Sequence, residues 1–213
     1  SMARRFERGE TLIGMKMGLT SVAKMKQMGV EQPIYGHLTD VMLRQDGDTL
    51  SMGDFIHPRC EPEIAFILSR DLRGPVSPAQ AMLAVEGICA AIEVIDSRYE
   101  KFKFTLADVV ADNASSVAFV LGSEVRKPEE VDLGNIGMSF ELDGEVKHVG
   151  SSAAILEHPA RSLAAMANML HERGEYLRAG QLVLAGAATA AEFVHAGTSV
   201  CLRADGLGEV RLD

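Results

Sequence analysis

The amino-acid sequence predicts an α+β fold, rich in short strands and carrying helices at its flanks. Short runs with β-branched or aromatic centres recur along the chain, and one doubles back at an Asp-Gly turn. One segment, residues 159–173, carries a clear helical stripe of apolar side chains. The regular strand–helix alternation that builds a doubly wound sheet is missing.

Arg4-Arg5-Phe6-Glu7-Arg8 followed by Gly9 reads as the last turns of a helix ended by glycine, with its beginning upstream. Ser1-Met2-Ala3 reads as an addition ahead of the natural chain. Residues 12–14 read as a strand leading into a loop over 16–21, in which Lys16 lies between Gly14 and Gly18. Thr20 or Ser21 then caps a short helix over 22–28. Residues 60–68 are a strand, and Pro62 near its start marks a strand edge or a strand entry. Residues 78–87 suit a helix begun at proline, with Ala79, Met82, Leu83 and Glu86 at helical spacing. Segments 90–95 and 116–121 read as buried strands. Residues 138–142 and 145–149 form a hairpin around Asp143-Gly144. In the helix over 159–173, Leu163, Met166, Ala167 and Leu170 make the buried stripe, and Gly174 ends it. Strands over 182–185 and 199–202 close the chain.

With 213 residues, 47% hydrophobic and 24% charged, the chain can bury a sizeable core as an ordinary globular protein. The formal charge of −9 argues against nucleic acid as a partner, since no basic stripe is present. An acidic protein that takes an acidic substrate must invert the charge locally, and a bound cation does so. Cys60, Cys89 and Cys201 are far apart and form no CxxC pair, which suits reduced thiols in a cytoplasm. The sequence has no apolar run long enough to span a bilayer and no visible signal peptide.

Chemistry concentrates in four places. In Cys60-Glu61-Pro62-Glu63 an extended backbone puts both carboxylates on one face, where they repel unless a cation neutralises them. A solvated strand edge is the other reading. Glu93 lies in Ala90-Ala91-Ile92-Glu93-Val94-Ile95, a run that looks buried on both faces. A lone buried carboxylate costs several kcal/mol unless paired or liganded. Arg98 offers an ion pair; convergence of Glu61, Glu63 and Glu93 on one hard cation satisfies all three, and oxygen donors favour Mg²⁺ or Mn²⁺ over zinc. Lys16 is either a surface lysine or a cation that reaches into a cleft to meet a carboxylate or a developing enolate. Asp112-Asn113-Ala114-Ser115-Ser116 supplies polar groups either to a ligand or to a local cap. Gly186-Ala187-Ala188-Thr189-Ala190-Ala191 lets backbone approach a ligand closely, or simply packs tightly.

These residues resemble a known family. Gly14-Met15-Lys16-Met17-Gly18-Leu19-Thr20-Ser21, His57-Pro58-Arg59-Cys60-Glu61-Pro62-Glu63, Glu93-Val94-Ile95-Asp96-Ser97-Arg98 and Ala111-Asp112-Asn113-Ala114-Ser115-Ser116 resemble the hydratase/decarboxylase branch of the fumarylacetoacetate hydrolase superfamily. The match runs in order from about Arg4 to Val210. The resemblance implies a mixed β-sheet roll or sandwich with flanking helices. It implies Mg²⁺ or Mn²⁺ on Glu61, Glu63 and Glu93, and a substrate pocket that includes Lys16, Asp40 and Ser115, with Gly186 and Thr189 on the substrate side. Residues 1–213 are then one catalytic domain, lacking most of the family's N-terminal helical segment.

The implied substrate is a small 2-oxo acid and the implied activity that of a lyase. One activity of the branch removes CO₂ from 2-oxohex-3-enedioate; another adds water to 2-hydroxypenta-2,4-dienoate, for which Asp40 is the candidate base. Lys24-Met25-Lys26-Gln27-Met28-Gly29-Val30, Pro33-Ile34-Tyr35-Gly36, Ser97-Arg98-Tyr99-Glu100-Lys101-Phe102-Lys103-Phe104 and Ala164-Ala165-Met166-Ala167-Asn168-Met169-Leu170 look more like the decarboxylase. Three positions depart from its pattern: His37 in place of Phe, Glu157 in place of Gly, and Ala185 where Thr is common. The first and third are expected to alter pocket polarity. The resemblance also implies a homo-oligomer and association with a partner hydratase; a weakly active partner subunit is a further alternative.

Overall fold

A computed structural model describes residues 2–21, 25–26 and 30–213. The first half of the chain forms α1 (Met2–Glu7), β1 (Leu12–Gly18), β2 (Ile34–Thr39), β3 (Leu43–Arg44), β4 (Arg59–Leu68), α2 (Pro78–Met82), β5 (Val85–Ile95), α3 (Leu106–Ala111) and β6 (Ser116–Leu121). The second half forms β7 (Gly137–Leu142), β8 (Glu145–Ser151), α4 (Pro159–His171), β9 (Leu182–Ala187), β10 (Glu192–Phe193), β11 (Val200–Ala204) and β12 (Gly208–Leu212).

The larger sheet has the order β2-β1-β9-β4-β5-β6-β3, with β10 also paired to β4; the smaller is β12-β11-β7-β8. The β1–β9 and β3–β6 pairs are parallel, so the sheet is mixed. Its end strands β2 and β3 are joined only by Asp40–Met42. Thr39 and Leu43 can be no more than about 14 Å apart along such a link. A flat sheet of seven strands would hold its edges roughly 29 Å apart. The sheet must therefore curl into a roll, as expected for the α+β class.

Curling gives the sheet an inside. Leu38, Met42, Ala65, Cys89, Ala91, Phe119 and Leu184, drawn from nearly every part of it, form one buried cluster on the concave face. Ile64, Phe66, Ile88, Ile92 and Val183 face the other way and join the main core. There, α4 packs on α2 and β9, and the smaller sheet covers β5 with β11 and β12.

The hairpin turns at Asp143 (φ 53°) and Gly144 (φ 75°), the left-handed pair that an Asp-Gly hairpin needs. Helix α4 runs as expected, and Gly174 beyond it takes φ 73°. Other expectations are corrected. Lys16 lies within strand β1, not in a loop, because Gly14 and Gly18 permit close neighbours rather than a turn. Gly14 lies against the Leu182 backbone across the β1–β9 pair. Strand β4 is central despite Pro62. The Pro62 carbonyl accepts from the Ala188 N–H where regular β9 pairing ends at Ala187, before β10 begins at Glu192. The residue without an N–H thus faces a gap in the pairing. The helix expected over 78–87 stops at Met82, and from Val85 the chain pairs with β4 instead. Strands β2 and β12 have no counterpart in the sequence reading. Of the helix expected over 22–28, only Met25 and Lys26 are described, and the rest lies outside the described residues.

A Cβ on Gly14 would lie 2.4 Å from the Leu182 carbonyl oxygen, which backbone pairing holds in place. Gly14→Ala should destabilise the fold by about 1–3 kcal/mol, the usual cost of overpacking. The midpoint of chemical denaturation checks this; an unchanged midpoint would show that β1 and β9 separate easily.

Candidate active site

Adjacent antiparallel strands β4 and β5 place Glu61 directly opposite Glu93. Strand alternation puts Glu63 on the same face as Glu61. One carboxylate oxygen from each of Glu61, Glu63 and Glu93 lies within 4.8 Å of the other two. All three residues are buried, Glu63 and Glu93 completely. Like charges directly across a ladder destabilise it, so this arrangement requires compensation.

Part of it comes from Lys16. Its ammonium, itself buried, lies 2.8 Å from Glu93 Oε2 and donates to the Ala114 carbonyl at 3.3 Å. Ser116 Oγ donates to Glu93 Oε1 (2.6 Å), and the Gly186 N–H donates to Glu63 Oε2 (2.7 Å). Glu63 Oε1 is buried without a hydrogen bond. Burial, reinforced by the charge of Glu93, raises the Glu63 carboxyl well above its ordinary range. Burial likewise raises Glu93, against the pull of Lys16. Burial works to lower Lys16, but the surrounding carboxylates outweigh it and hold the ammonium protonated.

Among the described residues, three carboxylates and one ammonium meet in this buried site, an excess of formal negative charge. All the donors converging there are hard oxygens, and one has no partner. The set fits one divalent cation, which would offset that excess.

Above this cluster sits a strained turn. Asn113, Ala114 and Ser115 have φ of 55°, 51° and 60°. Left-handed backbone costs roughly 1–2 kcal/mol per non-glycine residue. Asn113 holds the turn to β2: its Oδ1 accepts from the His37 N–H (2.7 Å) and its Nδ2 donates to the His37 carbonyl (2.9 Å). The Asp96 N–H donates to the Ser115 carbonyl at 2.8 Å. The conformation presents the Ala114 carbonyl to Lys16 and leaves Ser115 Oγ buried without a hydrogen bond.

Lys16, Glu61 and Ser115 open onto a cavity of about 450 Å³. Thr189 and Arg59 are on its wall, with Ile95, Phe102, Phe104 and Val109 providing apolar surface. A larger groove of about 680 Å³, between β2 and α3, contains none of the three glutamates.

Of the residues singled out in the sequence, Lys16, Glu61, Glu63, Glu93 and Ser115 come together and Thr189 lines the cavity. Gly186 is not on the wall. It stands behind Glu63 with φ 111°, so close to Thr20 that an added Cβ would lie 2.2 Å from Thr20 Oγ1. Asp40 is not at the site. It is exposed, and its Oδ1 accepts from the Thr11 and Val41 N–H groups (2.9 and 3.0 Å). Lys16 pairs with Gly36, four residues along β2 from Asp40 or roughly 14 Å at strand rise. The departures at His37 and Ala185 do not touch the cavity either: His37 lines the larger groove, and Ala185 belongs to the main core. Glu157 has φ 66°, a conformation glycine adopts freely, and pairs with Arg161. Sequence reasoning gave Arg59 no role of its own, and named Ser116 only as part of the polar run Asp112-Asn113-Ala114-Ser115-Ser116. Arg59 had a signal: it precedes Glu61 by two, so the alternation that groups Glu61 with Glu63 includes it.

The sequence matches the family described as Fumarylacetoacetate (FAA) hydrolase C-terminal over residues 16–213. The chain belongs to the fumarylacetoacetate hydrolase family. Among relatives in this family, 4-oxalocrotonate decarboxylase from Pseudomonas sp is 48% identical over 209 residues, spanning 98% of this chain and 81% of that protein. The 2-keto-4-pentenoate hydratase of Burkholderia vietnamiensis is 41% identical over 204 residues, spanning 95% and 78%. The structure of 4-oxalocrotonate decarboxylase from Pseudomonas putida G7, complexed with magnesium and adipate, superposes with a TM-score of 0.97 at 45% identity, covering 99% of this chain and 81% of that one. The chain thus lies in the hydratase/decarboxylase branch of the fumarylacetoacetate hydrolase family.

Glu63 tests the charge argument. Its ionised form destabilises the metal-free fold, so the neutral isostere in Glu63→Gln should leave the melting temperature in chelator unchanged or higher. The same variant should bind Mn²⁺ about a hundredfold or more weakly, having lost a charged ligand. Thermal melts with and without Mn²⁺, together with calorimetric titration, read both effects. A variant that melts lower in chelator and binds Mn²⁺ normally would make Glu63 a structural group.

Proposed function

We propose that this fumarylacetoacetate hydrolase family member is a divalent-metal-dependent carboxy-lyase, a single catalytic domain that converts 2-oxohex-3-enedioate (4-oxalocrotonate) to 2-hydroxypenta-2,4-dienoate. One observation carries the reading: a buried ammonium, Lys16, beside three buried carboxylates, with Lys16 and Glu61 lining a cavity. Glu61, Glu63 and Glu93 would hold Mg²⁺ or Mn²⁺. Bound there, the cation supplies Lewis acidity toward the 2-oxo carboxylate end of the substrate.

The reaction breaks the bond between C5 and the C6 carboxylate. Its electron pair moves through the conjugated chain to the 2-oxo oxygen, CO₂ leaves, and a proton on that oxygen completes the dienol. The Lys16 charge stands where negative charge accumulates, so its attraction grows toward the transition state. Ser115 Oγ, buried without a partner on the same wall, is available to donate to a substrate oxygen. Phe102, Phe104, Val109 and Ile95 provide an apolar enclosure for the conjugated chain.

Hydration of 2-hydroxypenta-2,4-dienoate is the less favoured reading. It requires a base to activate water, and Asp40, the residue suggested for that role, lies on the surface away from the cavity. The greater identity to the decarboxylase points the same way. Homo-oligomerisation, association with a partner hydratase and a cytoplasmic location belong to the same reading. Among the described residues no helix is long and apolar enough to cross a membrane, and the three cysteines are free and buried.

Loss of the ultraviolet absorbance of 4-oxalocrotonate provides the assay. Activity should vanish in excess chelator and return with Mg²⁺ or Mn²⁺; full turnover in chelator would refute the reading. Lys16→Met should lower kcat by a factor on the order of ten to a thousand, the range for removing one electrostatic stabiliser. Its affinity for metal should be unchanged or higher, because a cation that competes for Glu93 is gone. Wild-type kcat in this variant would remove Lys16 from the chemistry.

A further inference from the structure

Among the described residues, Arg59 is the charged residue of the cavity wall that the reaction above leaves unused. It begins β4 and shares a face with Glu61 and Glu63. Its guanidinium sits in the corner of two rings set at 80° to each other, with Cζ 4.4 Å from the Phe102 centroid and 3.8 Å from that of Phe193. Phe102 is in turn stacked on His57 at 4.9 Å. This stacking fixes the cation without neutralising it. Its Nε is buried without a hydrogen bond, and the Glu61 and Glu192 charges act on it without a salt bridge among the described residues. Glu192, on the neighbouring strand β10, is engaged by His148 Nε2 at 2.6 Å.

We propose that Arg59 receives the far carboxylate of a dicarboxylate 2-oxo acid, and so selects a six-carbon dianion over shorter or monoanionic 2-oxo acids. The assignment rests on the decarboxylase reading, in which the 2-oxo end lies at Glu61, Glu63 and Glu93. Two residues along a strand separate the Arg59 and Glu61 Cα atoms by about 7 Å. An extended chain advances roughly 1.25 Å per carbon–carbon bond, which puts C6 about 5 Å beyond C2. A planar guanidinium on the cavity wall then meets a carboxylate by its two-pronged edge.

The reaction also dictates how this contact appears in kinetics. The far carboxylate leaves as neutral CO₂, and its charge moves toward the Lys16 end. Arg59 therefore attracts the substrate more than the transition state, and its loss should appear in KM rather than kcat.

The test compares two ligands of equal length on the Mg²⁺-loaded protein by calorimetry: 2-oxoadipate, with a far carboxylate, and 2-oxohexanoate, with a methyl in its place. Wild type should bind 2-oxoadipate at least about tenfold more tightly. Arg59→Gln should weaken 2-oxoadipate about ten- to a hundredfold, the value of a charge-assisted hydrogen bond, while 2-oxohexanoate changes less than about twofold. Arg59→Lys should restore part of the preference. With 4-oxalocrotonate, KM of Arg59→Gln should rise by a similar factor, with the loss absent from kcat. Equal weakening of both ligands, or a fall in kcat at unchanged KM, would overturn the proposal, since Arg59 would then only support the site. Unaltered 2-oxoadipate binding in Arg59→Gln would overturn it too. If wild type binds neither 2-oxo acid in the presence of Mg²⁺, the decarboxylase reading itself fails and takes this one with it.

Discussion

Mutual repulsion among three buried carboxylates is the constraint around which this fold is arranged. Glu61, Glu63 and Glu93 occupy the concave face of a curled sheet, where burial limits screening by water. In such surroundings charges interact several times more strongly than in solvent. A fold that merely needed stability would place aliphatic side chains here, as it does a few residues away at Ala65, Cys89 and Ala91. Retaining the acids makes sense when a cation completes the site. Among the described residues, Lys16 supplies one positive charge permanently, and the carboxylates still outnumber it.

The supporting structure is directed at orienting oxygens. Ser116 engages one oxygen of Glu93 and Lys16 the other, while the Gly186 amide engages one oxygen of Glu63 and leaves its other without a hydrogen bond. Gly186 can do so because the crowding against Thr20 excludes any Cβ. The left-handed turn at Asn113–Ser115 belongs to the same arrangement. It is tied down by the Asn113 amide on β2 and by Asp96, and in return fixes the carbonyl that receives Lys16. Strain of this kind persists where the surroundings over-determine the conformation.

Charge is distributed unevenly along the cavity. Its head carries Glu61 and Lys16, its middle is apolar, and Arg59 stands at the side in the corner of two rings. A substrate whose negative charge starts at both ends and finishes at one is matched to that distribution. The head stabilises what the reaction creates, and the apolar middle does not compete for the migrating charge with water. The free thiols of Cys60 and Cys89 lie close by in sequence, but burial pushes both up to about 12, which keeps them from acting as nucleophiles.

Local patterns in the sequence determined a good deal. The Asp143-Gly144 hairpin, helix α4 and the strands carrying Glu61, Glu63 and Glu93 follow from short-range chemistry: turn residues, a 3.6-residue stripe, and runs of β-formers. The pairing of Glu61 with Glu63 on one face was legible because alternation is a property of a single strand. What the sequence left open were relations between strands. The β4–β5 register that sets Glu93 opposite Glu61, and the β1–β9–β4 order that brings Lys16 over, depend on which edges meet when the sheet curls. The same long-range closure made Pro62 acceptable in a central strand and Gly14 a point of contact instead of a turn. It also carried Asp40, attractive as a base on resemblance alone, to the far end of β2. Local chemistry specifies which groups a strand presents and on which face; only the closure of the roll decides which of those groups share a site.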